Sequence, residues 1–174
     1  MYLEGRAFLE EEREAWRPFE ALAILPDDRL STPVEGAHGW SGRDLMGHLL
    51  SGHDVAMRVA RELAVGEASA TKAAADADWE ARGNEVINAE LQAIWGALPL
   101  GELRERFGTM PGELRGYLSV VPETRWVKDP GVLAFLISET IEHYAEHVAP
   151  RLLHAPAELV IDAVGAAFGV AGLR

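Results

Sequence analysis

Every long segment of this 174-residue chain repeats its apolar residues three and four apart, the period of a helix with one face on a core. The segment opened by Asp129-Pro130 does so most clearly. Val132, Leu133, Leu136, Ile137, Ile141, Tyr144 and Val148 form its apolar stripe, and it also carries His143 and His147. Two histidines four apart project from one face of a helix, one turn above the other. That is how a single helix offers two imidazole nitrogens to one metal ion. A third ligand has to come from elsewhere, and His48 is the candidate.

The rest of the chain follows the same period, with no strand run, hairpin signal or internal repeat, so the expected fold is all-α. Residues 4–25 read as one amphipathic helix, with Phe8, Ala15, Trp16, Phe19, Leu22 and Ala23 inward and the run Glu10–Glu14 as a wetted face. Pro26-Asp27-Asp28 ends it, and a loop reaches Gly39. Ser41 then caps a second helix, with Asp44 in the acidic place of a capping box and Trp40 packed against the first turn. Its apolar face is Leu45, Leu49, Gly52, Ala56, Val59 and Leu63, with His48 on the edge, and Gly66 closes it.

Residues 66–78 read as a loop, and Asp78 as the cap of a helix over 79–98 with Val86, Ile87, Leu91, Ile94 and Trp95 inward. Another helix is expected from about 101 to 121, kinked or split at Gly108 and Met110-Pro111-Gly112. Proline suits the first position of the helix that starts at Pro130. Pro156 opens a final segment that is apolar on more than one face, suited to covering the bundle or a second copy of it.

The positions of the histidines constrain topology. His48 follows its cap by seven residues, about 10 Å into the helix. His147 lies at a similar depth from the other end of its own helix. They can meet only if the two helices run antiparallel, whereas the second and fourth helices of a simple up-down-up-down bundle are parallel. The expectation is therefore a four-helix bundle of up-down-down-up topology, with residues 66–99 as a long helical crossover. One domain is expected over 1–174, with a core of about 1–153 and a C-terminal extension of about 154–174.

Composition narrows the function. An apolar content of 48% builds a core without cross-links, and there are no cysteines. Disulfide scaffolds, thiolate zinc sites and cysteine nucleophiles are thereby excluded, and a reducing cytoplasm is the expected location. The net charge is -12, and the arginines alternate with glutamates, so no nucleic-acid partner is expected. No basic leader followed by an apolar run and no span of eighteen apolar residues occurs, so neither a signal peptide nor a membrane partner is expected.

The stretch Trp40-Ser41-Gly42-Arg43-Asp44-Leu45-Met46-Gly47-His48-Leu49 resembles the opening of the second helix in the DinB/YfiT-like family of metalloenzymes, which includes the mycothiol-dependent maleylpyruvate isomerases and related thiol transferases. The pattern there is a tryptophan, a small cap, a basic-acidic pair, then a histidine. His143-x-x-x-His147 resembles the family's second signature, and Trp79 to Asn84 resembles the segment before its third core helix. The resemblance runs to about residue 153. It implies an up-down-down-up bundle, a divalent metal on three histidines, a low-molecular-weight thiol as cosubstrate, and a homodimer.

Three imidazoles leave an open coordination position, as in catalytic zinc sites. Zinc, nickel or iron would each accept nitrogen ligands. Glu139, four residues before His143, is the candidate partner or base beside the ligands, against the plainer reading of a solvated helix residue. Trp40 and Arg43 are the candidates for meeting a small, anionic substrate. His38, His53 and His154 read as loop or surface residues. The H-x-x-E-H pattern of inverted zinc proteases also fits residues 143–147, but those enzymes need an acidic ligand well downstream, and only Glu158 and Asp162 follow. Three functions remain: a metal-dependent thiol transferase or hydrolase acting on a small electrophile, a non-catalytic binder of metal or small molecules in stress or resistance, and a dimeric interaction module.

Overall fold

The computed structural model describes residue 2, residues 4–33 and residues 40–147. Among them the only extended pairing is a single antiparallel bridge between Pro33 and Ser41; everything else regular is helical. The expected extension beyond 153, with its apolar final segment, lies outside the described residues.

The first expected helix changes character midway. Helix α1 spans Gly5–Trp16, and the chain then tightens into a 3₁₀ segment over Arg17–Ile24. Pro18 explains the switch: it lacks an N–H and its ring collides with the carbonyl four residues back, so the α ladder cannot continue. The loop expected after Pro26 contains a short helix, α2, at Asp27–Ser31.

Helix α3, Gly42–Val65, begins and ends as its sequence dictates. The Ser41 side chain accepts from the Asp44 N–H at 3.3 Å and the Asp44 carboxylate accepts from the Ser41 N–H at 2.8 Å, while Gly66 caps the far end. This reciprocal box satisfies two N–H groups that the helix itself cannot.

Of residues 66–78, expected as a loop, only 66–69 lie outside a helix. Ser69 caps helix α4, Ala70–Arg82, by accepting from the Lys72 N–H at 3.0 Å. The alanines of this stretch are the strongest helix formers available. The helix expected over 79–98 is broken at Gly83, whose φ of +76° lies in the left-handed region, where side chains other than glycine are strained. Helix α5 then runs Asn84–Gly96. Of its expected inward residues, Ile87 and Trp95 are buried, but Val86 and Ile94 stand 47% and 64% exposed. Helix α6, Leu100–Val120, is uninterrupted, with Pro111 buried inside it, so the expected split does not occur. Packing against α3 holds the helix across the one ladder bond that proline removes.

The last stretch is one continuous helical run in three parts: α7, Pro130–Ile137, a single π turn at Ser138–Glu142, and α8, His143–His147. Asp129 caps it, accepting from the N–H groups of Gly131 and Val132.

Helix α3 is the centre of the core. Leu45, Leu49, Leu50, Val59 and Leu63 are buried on it. They pack with Phe107 and Leu114 of α6, Phe8 and Trp16 of α1, and Tyr144 of α8. Each such side chain contributes about 1.5–3 kcal/mol on burial. Helix α4, by contrast, buries no residue. Helix α4 therefore adds little to the core, and with α5, which is anchored on it by Trp95, it forms the outer wall of a cavity.

Candidate metal centre

His48 reaches the site from the second turn of α3, whose start is fixed by the capping box. His143 and His147 reach it from α8. The three rings come together edge to face, with centroids 4.5 Å apart for His48 and His143, 4.9 Å for His48 and His147, and 5.0 Å for His143 and His147. The Nε2 atoms of His48 and His143 are 2.7 Å apart. One nitrogen from each ring lies within 4.8 Å of the others, and among the described residues no carboxylate joins the group.

The π turn sits immediately before this cluster. Thr140 Oγ1 donates to the Leu136 carbonyl at 2.6 Å and Ser138 Oγ donates to the Phe135 carbonyl at 2.8 Å. Such side-chain bonds compete with the backbone ladder. A turn that closes from i to i+5 takes in one more residue than an α turn and re-aims the helix beyond it. The first residue beyond this turn is His143.

All three rings are electrically neutral near pH 7. Burial pulls His48 down to about 4. Burial first, then the His48 and His53 rings, pull His143 down to about 3. Burial, then the His48 and His143 rings, pull His147 down to about 2. A neutral imidazole keeps a lone pair for a metal. Moreover, Nδ1 of His48 is buried with no hydrogen-bond partner among the described residues, which is uncommon for a buried polar atom. Converging neutral nitrogens, no fourth ligand among the described residues and a cavity alongside together fit a borderline divalent metal with an open position.

That cavity encloses about 1070 Å³. His48, Gly52, Glu139 and His143 form its inner wall, and Trp79 and Ile87 of the α4–α5 pair stand opposite. Glu139 lies in the π turn, 7% exposed. Burial, and then the charge of Asp76, push its carboxyl up to about 8, so it holds its proton at neutral pH. It is not the solvated helix residue of the plainer reading. Gly52 makes room for it. A Cβ at Gly52 would lie 3.3 Å from Glu139 Oε2, 3.0 Å from His143 Nδ1 and 2.9 Å from the Glu139 carbonyl.

The two residues proposed to meet substrate part company. Trp40 is edge-on to His48 at 5.1 Å between ring centroids. Arg43 instead donates to the carbonyls of Gly96 at 2.9 Å and Leu98 at 2.6 Å. It holds the end of α5 in place and does not line the cavity.

Two residues read as surface are in the interior. Glu12, from the presumed wetted run, is 1% exposed, and His53 is fully buried. Glu12 Oε2 takes Arg115 Nη1 at 2.7 Å, Glu12 Oε1 accepts from the Tyr144 hydroxyl at 2.9 Å, and that hydroxyl lies 2.8 Å from His53 Nε2. The signal was present in the spacing: Glu12 is four residues after Phe8 and four before Trp16, and His53 is four after Leu49. Both sit on their apolar stripes. His38 and His154 lie outside the described residues.

A family model, the mycothiol maleylpyruvate isomerase N-terminal domain, matches residues 9–135. The match spans Trp40, Arg43 and His48 and ends before His143 and His147. No curated protein and no solved structure matches the chain.

Proposed function

The chain belongs to the family of mycothiol maleylpyruvate isomerase N-terminal domains, within the DinB-like superfamily, and from that premise we propose that it is a metal-dependent enzyme transferring a low-molecular-weight thiol to a small electrophile, or hydrolysing one. The observation that carries this reading is the convergence of three neutral imidazoles on the wall of a cavity large enough for substrate. His48, His143 and His147 would hold zinc, nickel or iron, which when bound supplies Lewis acidity and acidifies a water or thiol at its open position.

The chain's own groups do the rest. Glu139 holds a proton on the cavity wall beside His143 and serves as acid or, once ionised, as base. Gly52 keeps the space into which that carboxyl fits. Trp40 bounds the site against His48, and Arg43 acts through the α5 end that it anchors. The reading includes an up-down-down-up arrangement of the core helices over about 1–153, one domain over 1–174, a homodimer, and a cytoplasmic location. No helix of the described residues is long and apolar enough to cross a membrane.

The test is metal analysis of the purified protein beside a variant carrying His48→Ala, His143→Ala and His147→Ala together. About one ion per chain is expected in the first and none in the second. Equal metal in both would end the proposal. A non-catalytic binder would give the same metal result but retain small-molecule binding after a chelator has removed the ion and would turn over no thiol with any electrophile.

A further inference from the structure

The cavity has an apolar wall that the described residues leave open. Ile87, Leu91 and Ile94 of α5 recur four and three apart, and all three line it. Ile87 is buried, Leu91 is half-buried and Ile94 is mostly exposed, so the stripe emerges from the core into solvent. On the α4 side the lining includes Ala70, Ala74, Ala77 and Ala81, again four and three apart and all exposed. Large side chains on one side and methyl groups on the other leave a groove in which a further helix can lie close to the backbone. The lining cations add no free charge: Arg58 meets Asp54 at 3.0 Å and Arg82 meets Asp78 at 2.5 Å.

The sequence beyond His147 supplies a segment of matching chemistry. Residues 157–173 carry only two charged side chains, Glu158 and Asp162, four apart and so on one stripe of a helix. The rest of the circumference is apolar or glycine, with Val160, Val164 and Phe168 among its larger side chains. A helix apolar on most of its circumference has to be buried on most sides, which a groove achieves while leaving one stripe wet. The chain also leaves the described fold at the right place. Glu146 lines the cavity, and the His147 ring lies 4.9 Å from that of His48. A Cβ at the adjoining Gly47 would sit 3.1 Å from Cβ of Trp95, the neighbour of Ile94. Residues 148–156 can span about 30 Å when extended, more than the roughly 20 Å length of α5. So short a tether gives an effective concentration in the millimolar range, which favours the chain's own segment over a second copy. We propose that residues 157–173 dock as a helix in this groove of their own chain, against Leu91 and Ile94, with Glu158 and Asp162 toward solvent. The segment then forms the outer wall of the cavity and encloses the space in front of the histidine cluster. This goes beyond the metal-enzyme reading and holds with or without an ion.

Hydrogen exchange followed by mass spectrometry on the full chain tests it. Amides of 157–173 should exchange at least about tenfold more slowly in the natural chain than in Ile94→Asp. Ile94 is 64% exposed in the described fold, so the substitution spares the core, and unchanged exchange in α3 checks that it does. Val86→Asp, on the same helix but outside the cavity lining, should exchange like the natural chain. A p-benzoylphenylalanine placed at position 94 should crosslink to a peptide from 157–173 in a product of monomer mass. Fast exchange of the segment in the natural chain, or slow exchange that survives Ile94→Asp, would overturn the proposal. So would the absence of that crosslink, or its appearance only at dimer mass, which would make a second copy the occupant. No measurement here involves a metal, so a failed metal analysis would leave this result standing, and the reverse holds as well.

Discussion

The Tyr144 hydroxyl donates a 2.9 Å hydrogen bond to the Glu12 carboxylate across 132 residues of sequence. It ties the first helix to the last, and it does so from between the two histidines of α8. Arg115 on α6 and His53 on α3 complete the network, with His53 Nδ1 donating to the Leu49 carbonyl at 3.0 Å. Four helices that pack mainly through apolar contacts are thus held in register by one buried polar junction. Such a junction is favourable only while every member is satisfied.

Tyr144→Phe should therefore destabilise the protein by about 1–3 kcal/mol, because Glu12 and His53 lose a partner that water cannot replace in the core. The measurement is the urea unfolding midpoint at unchanged slope. An unchanged midpoint would mean that the junction relaxes without cost.

The same junction sets the acid limit of the fold. Burial opposes ionisation of Glu12, but His53 and Arg115 outweigh it and hold the carboxyl below its ordinary value of 4.5. A depressed folded pKa gives stability that is present above the unfolded value and lost as pH falls through the folded one. Unfolding free energy should accordingly drop as pH is lowered below about 4.5. Glu12→Gln should be less stable than the natural chain at pH 7 and show a shallower drop below that point, as followed by denaturant titrations from pH 3 to 7. Parallel curves for the two proteins would exclude Glu12 as the titrating group.

Glu139 acts in the opposite sense. Its carboxyl is raised from 4.5 to about 8 by burial and by Asp76, so the unfolded chain sheds that proton first and stability falls as pH rises between those values. In chelator-treated protein, Glu139→Gln should be more stable than the natural chain at pH 8, by an amount on the order of a few kcal/mol. The gain should shrink on acidification and vanish below about pH 4.5. A gain independent of pH would point to packing instead of ionisation.

Much of this was legible in the chain. Helical periods, the Ser41–Asp44 box, the Asp129-Pro130 start and the meeting of His48 with His143 and His147 depend on local spacing and on one depth argument. What stayed hidden depends on tertiary context. Glu12 lies within a run of acids, and only the counting from Phe8 to Trp16 places it inward. The alanines of α4 look like loop composition until Ser69 is seen to cap them. The break at Gly83 and the π turn at Ser138–Glu142 each hinge on a single backbone choice that periodicity averages away. Arg43 reads as a ligand-binding cation, but carbonyls 53 and 55 residues away in sequence claim it first.

His48→Ala isolates the contribution of α3 to the metal centre. The natural protein should gain about 2.7 kcal/mol when metal is present at a hundred times its dissociation constant. The variant keeps only two ligands, both on α8, and most of that gain should disappear. Thermal unfolding with and without added zinc reads the difference. Equal zinc-induced shifts in both proteins would show that His48 is not a ligand.

Gly52→Ala separates helix propensity from site geometry. In an exposed helix this change stabilises by about 1 kcal/mol. At Gly52 the new methyl would lie 2.9 Å from the Glu139 carbonyl and 3.0 Å from His143 Nδ1. The first neighbour is backbone, which cannot swing aside, so α3 and the π turn must part. Overpacking of this kind costs about 1–3 kcal/mol, enough to reverse the propensity gain. The displaced partner is the turn that aims His143, so metal affinity should fall along with stability. A variant as stable as the natural chain with unchanged metal affinity would mean that the two helices approach less closely than this contact requires, and the π turn would lose its part in aligning the site.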